Sequence, residues 1–249
     1  MTDIILCGCS GKMGRVISNC LSTREDCRIV AGIDISGVKY AEFPVYKTVE
    51  EVTEKADVII DFSHPSALSD VLEYAKLNGI GAVVATTGLD KEHIELVNSA
   101  AKVIPVFFTY NMSLGVNLLA ELAKKAAEVL GGFDIEIVEA HHNQKLDAPS
   151  GTALMLADAV IEGSENEKEL VYDRHSRRAK REKKEIGMHA IRGGTIVGEH
   201  QIIFAGRDEI VTLSHSARSK EIFATGAISA AVYLKGKEAG LYNMSDLLK

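Results

Sequence analysis

The first 110 residues alternate between short apolar runs and amphipathic segments with helical spacing. Short apolar runs are typical of buried parallel strands, and they predict strands at 4–8, 28–34, 56–62, 81–85 and 103–108. Helical spacing predicts intervening helices at 15–21, 66–78 and 91–101. Strands that alternate with helices indicate a doubly wound parallel α/β sheet, whose ligands bind at the carboxyl ends of the strands.

The pattern changes near residues 108–113, where we place a domain boundary. Beyond it, the spacing predicts helices at 114–130, 152–161 and 219–234, and strands at 135–140, 188–191, 199–205 and 209–214. Residues 162–185 are strongly charged, which favours an exposed loop, although its lysines and arginines could instead form an anion patch. The predicted domains are residues 1–110, completed by 219–249, and residues 111–218.

A glycine-rich turn joins the first predicted strand to the first predicted helix. It consists of Gly8, Cys9, Ser10, Gly11, Lys12, Met13 and Gly14. Strand, glycine turn and helix in this order are typical of dinucleotide binding, because glycines let a pyrophosphate approach the helix N-terminus. Ser10 occupies the place of the second glycine in G-x-G-x-x-G, so a turn without a ligand is the alternative.

The second predicted strand ends on an acid, Asp34, about twenty residues beyond the glycine turn. A carboxylate there would bind the adenosine ribose hydroxyls and repel a 2′-phosphate, and Ile35 follows it rather than an arginine. NADH is therefore expected to be well accepted, while the Lys12 ammonium could still allow NADPH. Two further strand ends, at 61–63 and 85–87, either line the same site or are ordinary loops.

The strand predicted at 135–140 leads into a segment with four charged or titratable side chains, which are His141, His142, Lys145 and Asp147. Ser150 follows as the N-cap of the next predicted helix. The free N–H groups at that helix end, together with Lys145, would suit a carboxylate or phosphate beside an imidazole. The alternative is a surface loop whose histidines are incidental.

Composition narrows the possible partners and compartments. The 249 residues carry a formal net charge of −7 and are 46% apolar, which argues against a nucleic-acid or anionic-membrane partner. The absence of a signal-peptide pattern and of a long apolar run predicts a cytoplasmic protein. All four cysteines lie within the first 27 residues at spacings that match no common zinc motif, so we predict reduced thiols and no metal site.

Five motifs, taken together, resemble the 4-hydroxy-tetrahydrodipicolinate reductase (dihydrodipicolinate reductase) family over nearly the whole chain. In chain order they are Gly8-x-x-Gly11-Lys12-Met13-Gly14, Ala85-Thr86-Thr87-Gly88, Asn111-Met112-Ser113-x-Gly115-Val116-Asn117, Glu139-Ala140-His141-His142-x-x-Lys145-x-Asp147-Ala148-Pro149-Ser150-Gly151-Thr152-Ala153, and Arg192-Gly193-Gly194-x-x-Val197-Gly198-Glu199-His200. The fourth motif is the most specific, whereas the first alone would be weak.

The resemblance implies hydride transfer from a nicotinamide to C4 of a cyclic unsaturated dicarboxylate, which yields tetrahydrodipicolinate in the diaminopimelate route to lysine. It implies His141 as the proton donor and Lys145 as a catalytic, carboxylate-binding group. Substrate contacts would also come from His142, Ser150, Gly151 and Thr152. Cofactor contacts would come from Gly8, Cys9, Ser10, Gly11, Lys12, Met13, Asp34, Ala85, Thr86, Thr87, Tyr110, Asn111 and Met112.

The resemblance also implies a Rossmann-type N-terminal domain and a C-terminal α+β domain with an open mixed sheet. The second domain would bind the substrate and assemble a homotetramer through its sheet. Lys12, Ile35 and Ala85 depart from the family pattern, so the choice between NADH and NADPH stays open.

Two competing functions are another two-domain Rossmann reductase and a non-catalytic dinucleotide sensor. An acylating semialdehyde dehydrogenase needs a cysteine in its second domain, and here every cysteine precedes residue 28. A sensor has no reason to keep His141, Lys145 and the anion-binding turn together. Both observations favour the reductase.

Overall fold

The computed structural model describes residues 1–176 and 178–248 and forms two compact units. The first comprises Met1–Leu114 and Lys220–Lys249, and the second comprises Gly115–Ser219. The first unit thus extends a few residues beyond the predicted 110/111 boundary. The reason is packing: Met112 is buried in its core, and a Cβ on Gly226 would lie only 1.7 Å from the Met112 carbonyl oxygen.

The first unit contains a parallel sheet. With strands numbered along the whole chain, it consists of β1 (Thr2–Cys7), β2 (Cys27–Ile33), β3 (Val45–Tyr46), β4 (Val58–Asp61), β5 (Gly81–Val84), β6 (Pro105–Phe108) and β12 (Gly240–Tyr242). Among the described residues these form seven strands in the order β12-β6-β5-β4-β1-β2-β3. The chain adds strands first to one side of β1 and then to the other, so β1 and β4 flank the topological switch point where such sheets bind ligands.

Helices cover the two faces of this sheet. They are α1 (Lys12–Leu21), α2 (Leu68–Asn78), α3 (Lys91–Ala100), α6 (Glu221–Leu234) and α7 (Met244–Leu247). Asp90 caps α3 by accepting the His93 backbone N–H, and Gly79 ends α2 in the left-handed conformation, at φ 63°. Buried side chains from α6 pack with those of α1 and with Phe107 of β6 in one apolar cluster. The predicted Rossmann-type sheet is confirmed.

The second unit contains an open mixed sheet with helices on one face. Its elements are α4 (Leu114–Val129), β7 (Asp134–His141), α5 (Gly151–Gly163), β8 (Glu169–Val171), β9 (Glu185–Arg192), β10 (Gly198–Ala205) and β11 (Ile210–Ala217). In the described chain the order is β11-β10-β7-β9-β8, with antiparallel pairs on one side of β7 and parallel pairs on the other. Ile137, Leu156 and Phe204 are fully buried where the sheet meets the helices. This confirms the predicted second-domain fold.

The prediction of one exposed loop over residues 162–185 is wrong at both ends and inside the segment. At the ends, α5 continues to Gly163 and β9 begins at Glu185. Glu169–Val171 forms β8, which pairs with β9. Arg181 is mostly buried, donates to Asp134 and Glu136 on β7, and also binds the Glu185 carbonyl. Because these acceptors engage its guanidinium, Arg181 does not belong to an anion-binding patch.

Candidate active site

The glycine turn after β1 is closed by contacts that only glycine allows. Gly8 lies at φ +72°, and a Cβ on it would meet the Phe62 carbonyl oxygen at 2.5 Å. A Cβ on Gly14 would lie 2.2 Å from the Gly8 carbonyl oxygen. Gly11 is the N-cap of α1, and no described side chain caps the first-turn N–H groups of this helix. A bare helix N-terminus behind a tight glycine turn fits a dinucleotide pyrophosphate.

The first cavity of this unit has a volume of about 550 Å³ and opens at the carboxyl ends of its central strands. Predicted cofactor residues that line it are Gly11, Lys12, Met13, Ala85, Thr86, Thr87, Tyr110, Asn111 and Met112. The sheet therefore brings together residues that are about a hundred positions apart in the chain. Phe62, Phe108 and Phe223 supply apolar walls.

Two other predicted residues, Gly8 and Asp34, line a second cavity of about 320 Å³, together with Ile35 and Lys47. Burial raises the pKa of Asp34, but hydrogen bonds from Ser36 and Ser10 outweigh it and hold that pKa below its usual value. Asp34 is therefore an ionised acceptor at neutral pH, as a ribose hydroxyl requires.

Cys9 and Ser10 do not line either cavity among the described residues. The Cys9 side chain is buried in the core, where the missing Cβ of Gly32 makes room for its sulfur. Only the Cys9 backbone can therefore face a ligand. Ser10 instead supports Asp34 by hydrogen bonding.

A buried carboxylate, Asp61 at the end of β4, ties two of the lining loops together. It accepts hydrogen bonds from the Thr86 hydroxyl (2.8 Å) and from the Ser63 hydroxyl and backbone N–H (2.5 and 3.0 Å). Burial raises the pKa of Asp61, although these hydrogen bonds oppose the rise. Asp61 thus acts on the cavity through Ser63 and Thr86.

Substitution of Gly14 by alanine should weaken dinucleotide binding by distorting the glycine turn. The new methyl group would collide with backbone atoms of Gly8 and Cys9, which cannot move cheaply, so we expect a loss of about 1–3 kcal/mol of stability. We also expect NADH affinity, measured by fluorescence titration, to fall at least about tenfold. The control is Gly132→Ala, where an added Cβ meets no described atom within 4 Å; an equal loss there would contradict the argument.

In the second unit, the alternation of β7 selects which of its side chains are buried. Every second residue from Ile135 to His141 is buried, so Glu139 and His141 share the face that meets the helices. Strand register brings Arg192 of β9 beside His141 and His200 of β10 beside Glu139. This produces a cluster of titratable groups at one end of a sheet.

The Glu139 carboxylate is almost fully buried and is the centre of this cluster. Arg192 donates to both of its oxygens at 2.8 Å, and the Ser150 backbone N–H donates to Oε1 at 3.1 Å. The His141 Nδ1 lies 2.6 Å from Oε2. Burial raises the pKa of Glu139, but the hydrogen bonds from Arg192, His141 and Ser150 outweigh it and hold the pKa below its usual value.

This pairing decides how the His141 ring is protonated. An ionised carboxylate only accepts hydrogen bonds, so Nδ1 of His141 carries a hydrogen and Nε2 is the exchangeable position. Gly198 of β10 lies against that side of the ring, and a Cβ there would be 3.3 Å from Nε2. The ring is therefore oriented by Glu139 with its other nitrogen beside a residue that has no side chain.

The turn that follows β7 holds the other predicted substrate residues. Ser150 caps α5 by accepting the Ala153 N–H at 3.2 Å, after a cis peptide bond between Ala148 and Pro149. Gly151 begins the helix with open space beside its Cα among the described atoms, which suits an approaching anion.

Lys145 and His142 lie within this turn and are partly exposed, and Thr152 lies in the first turn of α5. The Lys145 backbone N–H donates to the His142 carbonyl at 3.1 Å. The Lys145 ammonium contacts the Asp147 carboxylate at 2.9 Å. Because Asp147 is itself exposed, an anionic ligand can replace it at the ammonium without leaving a buried charge unpaired.

His200 supports the helix cap and is buried in neutral form. Its Nε2 lies 3.2 Å from the Ser150 hydroxyl, and its ring packs edge-on against His141 at a centroid distance of 5.2 Å. Burial, together with the nearby His141, lowers the pKa of His200 to about 4.

This shift predicts acid destabilisation in a defined window. In the unfolded chain a histidine has a pKa near 6.5, so between pH 6.5 and 4 His200 is protonated when unfolded but neutral when folded. The free energy of unfolding therefore falls as pH drops from about 6.5 to about 4. We expect this to cost about 3 kcal/mol, measured by urea unfolding between those pH values. His200→Gln, which can still bond Ser150, should flatten the profile; an unchanged slope would contradict the assignment.

Sequence reasoning did not include Glu139, Arg192 and His200 among the site residues. All three belong to the motifs given above, but no role in the site was predicted for any of them. The available signal was alternation: Glu139 stands two positions before His141 on the same strand, and therefore on the same face.

No group of three or more histidine, cysteine or acidic residues is arranged to hold a metal ion among the described residues, and the four cysteines are free thiols. None of the helices in the described chain combines the length and apolar character that crossing a bilayer requires.

The comparison with known proteins matches both halves of the chain. The family model "Dihydrodipicolinate reductase, N-terminus" matches residues 2–112, and "Dihydrodipicolinate reductase, C-terminus" matches residues 115–248. The 4-hydroxy-tetrahydrodipicolinate reductase of Caldanaerobacter subterraneus subsp. tengcongensis is 50% identical, over 100% of this chain and 99% of that protein. The enzyme of the same name from Clostridium novyi is 46% identical, over 100% and 99%.

A solved structure agrees with these sequence relatives. Dipicolinate-bound dihydrodipicolinate reductase from Paenisporosarcina sp. TG-14 superimposes with a TM-score of 0.81 at 26% identity, and the match covers 98% of this chain and 97% of that one. Family models over both units, close relatives over the full length and a shared fold all agree. The chain belongs to the dihydrodipicolinate reductase family of NAD(P)H-dependent oxidoreductases.

Proposed function

We propose that this protein reduces 4-hydroxy-tetrahydrodipicolinate to tetrahydrodipicolinate and water, consuming NADH or NADPH and one proton, in the diaminopimelate route to lysine. The observation that carries the proposal is the oriented His141 beside the capped N-terminus of α5, in a chain 50% identical to a reductase of that name. An imidazole next to a carboxylate-binding helix end is suited to protonating an anionic substrate.

The cofactor would be held by the first unit. The turn from Gly8 to Met13 and the N-terminus of α1 would bind the pyrophosphate, and Asp34 the adenosine ribose. The residues 85–87 and 110–112 would line the first cavity around the remainder of the dinucleotide. When bound, the nicotinamide supplies the hydride.

The substrate would be held by the second unit. Lys145 would leave Asp147 to bind one substrate carboxylate, and His142 would contact the substrate beside it. Ser150, Gly151 and Thr152 would hold the second carboxylate at the positive end of α5. A doubly anionic substrate needs such cationic and N–H donors, which also stabilise the charge that develops in the transition state.

His141 would donate its proton from Nε2. Its Nδ1 is occupied by Glu139, so only Nε2 can gain and lose a proton during turnover. Imidazole is suited to this role because its ordinary pKa lies close to neutral pH.

The cofactor preference follows from the charges around the second cavity. The Asp34 carboxylate disfavours a 2′-phosphate, and Ile35 is 93% exposed and carries no charge to compensate for it. Lys47 places a cation on the wall of this cavity, and Lys12 places one on the wall of the first cavity. We therefore propose that NADH is well accepted and that NADPH is also used.

The assembly would be a cytoplasmic homotetramer formed through the second unit. Among the residues that the structure describes, α4 and α5 pack against one face of its sheet. The sheet also exposes apolar side chains, including Ile191 (51% exposed) and Ile210 (68% exposed). A second copy of the chain would bury these positions. Light scattering should give four times the mass of one chain.

The test is oxidation of NADH and of NADPH, with the unstable substrate generated in situ by the preceding synthase from pyruvate and aspartate semialdehyde. Oxidation that depends on this synthase supports the reaction, and the ratio of the two rates measures the cofactor preference. Folded protein that binds NADH but oxidises neither cofactor would contradict the proposal and favour a sensor or another reductase.

A further inference from the structure

Glu139 has no direct role in the reaction proposed above, yet its buried carboxylate contacts both halves of the substrate site. Oε2 lies 2.6 Å from His141 Nδ1, and Oε1 accepts the Ser150 backbone N–H at 3.1 Å. One group therefore touches the proton donor with one oxygen and the anion-binding turn with the other. This division is possible because Ser150 follows a turn that returns to the end of β7.

We propose that Glu139, held by Arg192, is a positioning residue that fixes the proton donor His141 and the carboxylate-binding turn at Ser150 in one rigid arrangement. The proposal rests on the proposed function, because it assigns a role to these groups in the same reaction. It extends that function by naming what sets the distance between the proton and the substrate carboxylate.

Arg192 neutralises the buried negative charge of Glu139. An unpaired carboxylate in this place would be costly, but Arg192 donates to each oxygen at 2.8 Å. The same guanidinium donates to the Asp147 carbonyl at 2.6 Å, in the turn that carries Lys145. The Gly193 backbone N–H also bonds the His141 carbonyl at 2.9 Å. Arg192 therefore connects Glu139 to the segment that holds the substrate-binding lysine.

The carboxylate determines which nitrogen of His141 reacts. As a pure acceptor it keeps the hydrogen on Nδ1, which leaves Nε2 as the reacting nitrogen. Arg192 of β9 lies beside His141 in the strand register, and the His200 ring of β10 packs edge-on against it at 5.2 Å. These neighbours restrict the same imidazole ring that Glu139 orients.

The test compares two glutamates of the same strand. Glu139→Gln removes the charge and places an amide donor against Arg192 or His141. We expect kcat to fall about tenfold to a hundredfold, KM for the dicarboxylate to rise several-fold, and KM for NADH to stay within about twofold.

The matched control is Glu136→Gln. Glu136 also lies on β7 and also pairs with an arginine and a histidine, Arg181 at 3.1 Å and His189 at 2.7 Å, but it faces the opposite side of the sheet. We expect its kcat and both of its KM values to match those of the wild type. Light scattering and thermal unfolding of both variants separate effects on assembly and stability from the effect on the site.

A second variant, Arg192→Lys, tests the same proposal if Glu139→Gln does not fold. Arg192→Lys keeps the positive charge beside Glu139 but loses the bidentate contact, so we expect a smaller fall in kcat, about threefold to tenfold, and a smaller rise in KM for the dicarboxylate. Unchanged kcat and KM for the dicarboxylate in either folded variant, or an equal loss in Glu136→Gln, would overturn the proposal.

Binding of dipicolinate, a planar non-reducible dicarboxylate, provides a readout without turnover. Calorimetry should show weaker binding to Glu139→Gln than to the wild type by about threefold to tenfold, because glutamine has a single acceptor oxygen and cannot accept from both Ser150 and His141. Equal binding would overturn the link to the turn. Wild-type protein that binds dipicolinate but oxidises no cofactor would contradict the proposed function alone, and the affinities would still test the role of Glu139.

Discussion

His141→Gln lowers kcat by about a hundredfold or more and leaves the KM for the dicarboxylate nearly unchanged; this is the expected result if His141 is the general acid. Glutamine keeps a polar group of similar reach but cannot transfer a proton. A hundredfold loss corresponds to about 2.7 kcal/mol of transition-state stabilisation. Steady-state kinetics with substrate generated in situ provides the measurement.

The matched control for this change is His93→Gln. His93 also has its Nδ1 at 2.6 Å from a carboxylate, that of Asp90, but it lies on α3 in the first unit. Its replacement should leave both kinetic constants unchanged. Wild-type turnover in His141→Gln would remove the residue from its assigned role, and an equal loss in both variants would indicate a general effect of losing a histidine.

Lys145→Met should impair both binding and turnover, because its charge serves the ground state and the transition state. Loss of a charge-assisted hydrogen bond costs about 1.5–3 kcal/mol, so we expect KM for the dicarboxylate to rise about tenfold to a hundredfold. We expect kcat to fall by a further factor of about ten to a hundred, as the developing negative charge loses its cation. Both constants come from the same coupled assay.

Lys124→Met is the control for this prediction. Lys124 pairs with Glu162 at 3.1 Å on the surface of the second unit, so its loss should have no kinetic effect. A change confined to the KM for NADH in Lys145→Met would show that the lysine serves the cofactor rather than the substrate.

The long elements of the fold could be predicted from the sequence, while the short ones could not. Helical spacing and apolar runs predicted β1, β4 and α4 to within a few residues, because burial imposes a periodic pattern. Val45–Tyr46 and Gly240–Tyr242 were missed, since two or three residues are too few to show any period. Their strand conformation depends on the neighbours they pair with, which local sequence does not reveal.

The same division applies to the site. His141, Lys145 and Ser150 stand close together in sequence, and an N-cap beside a basic residue has a recognisable local pattern. The pairing of Glu139 with Arg192 joins residues that are 53 positions apart, and it depends on the register between β7 and β9. A shift of one residue would turn Arg192 to the opposite face. Strand register is a property of the folded sheet and could not be read from either segment alone.

The first unit is built from two segments that are far apart in the chain, and this affects how it folds during synthesis on the ribosome. Residues 1–114 emerge first, but without α6 and β12 they leave β6 unpaired at one edge and expose the apolar side chains that α6 covers. The whole second unit must follow before Lys220–Lys249 leaves the exit tunnel. We therefore expect the second unit to fold first, and the nascent N-terminal segment to depend on chaperones until translation ends.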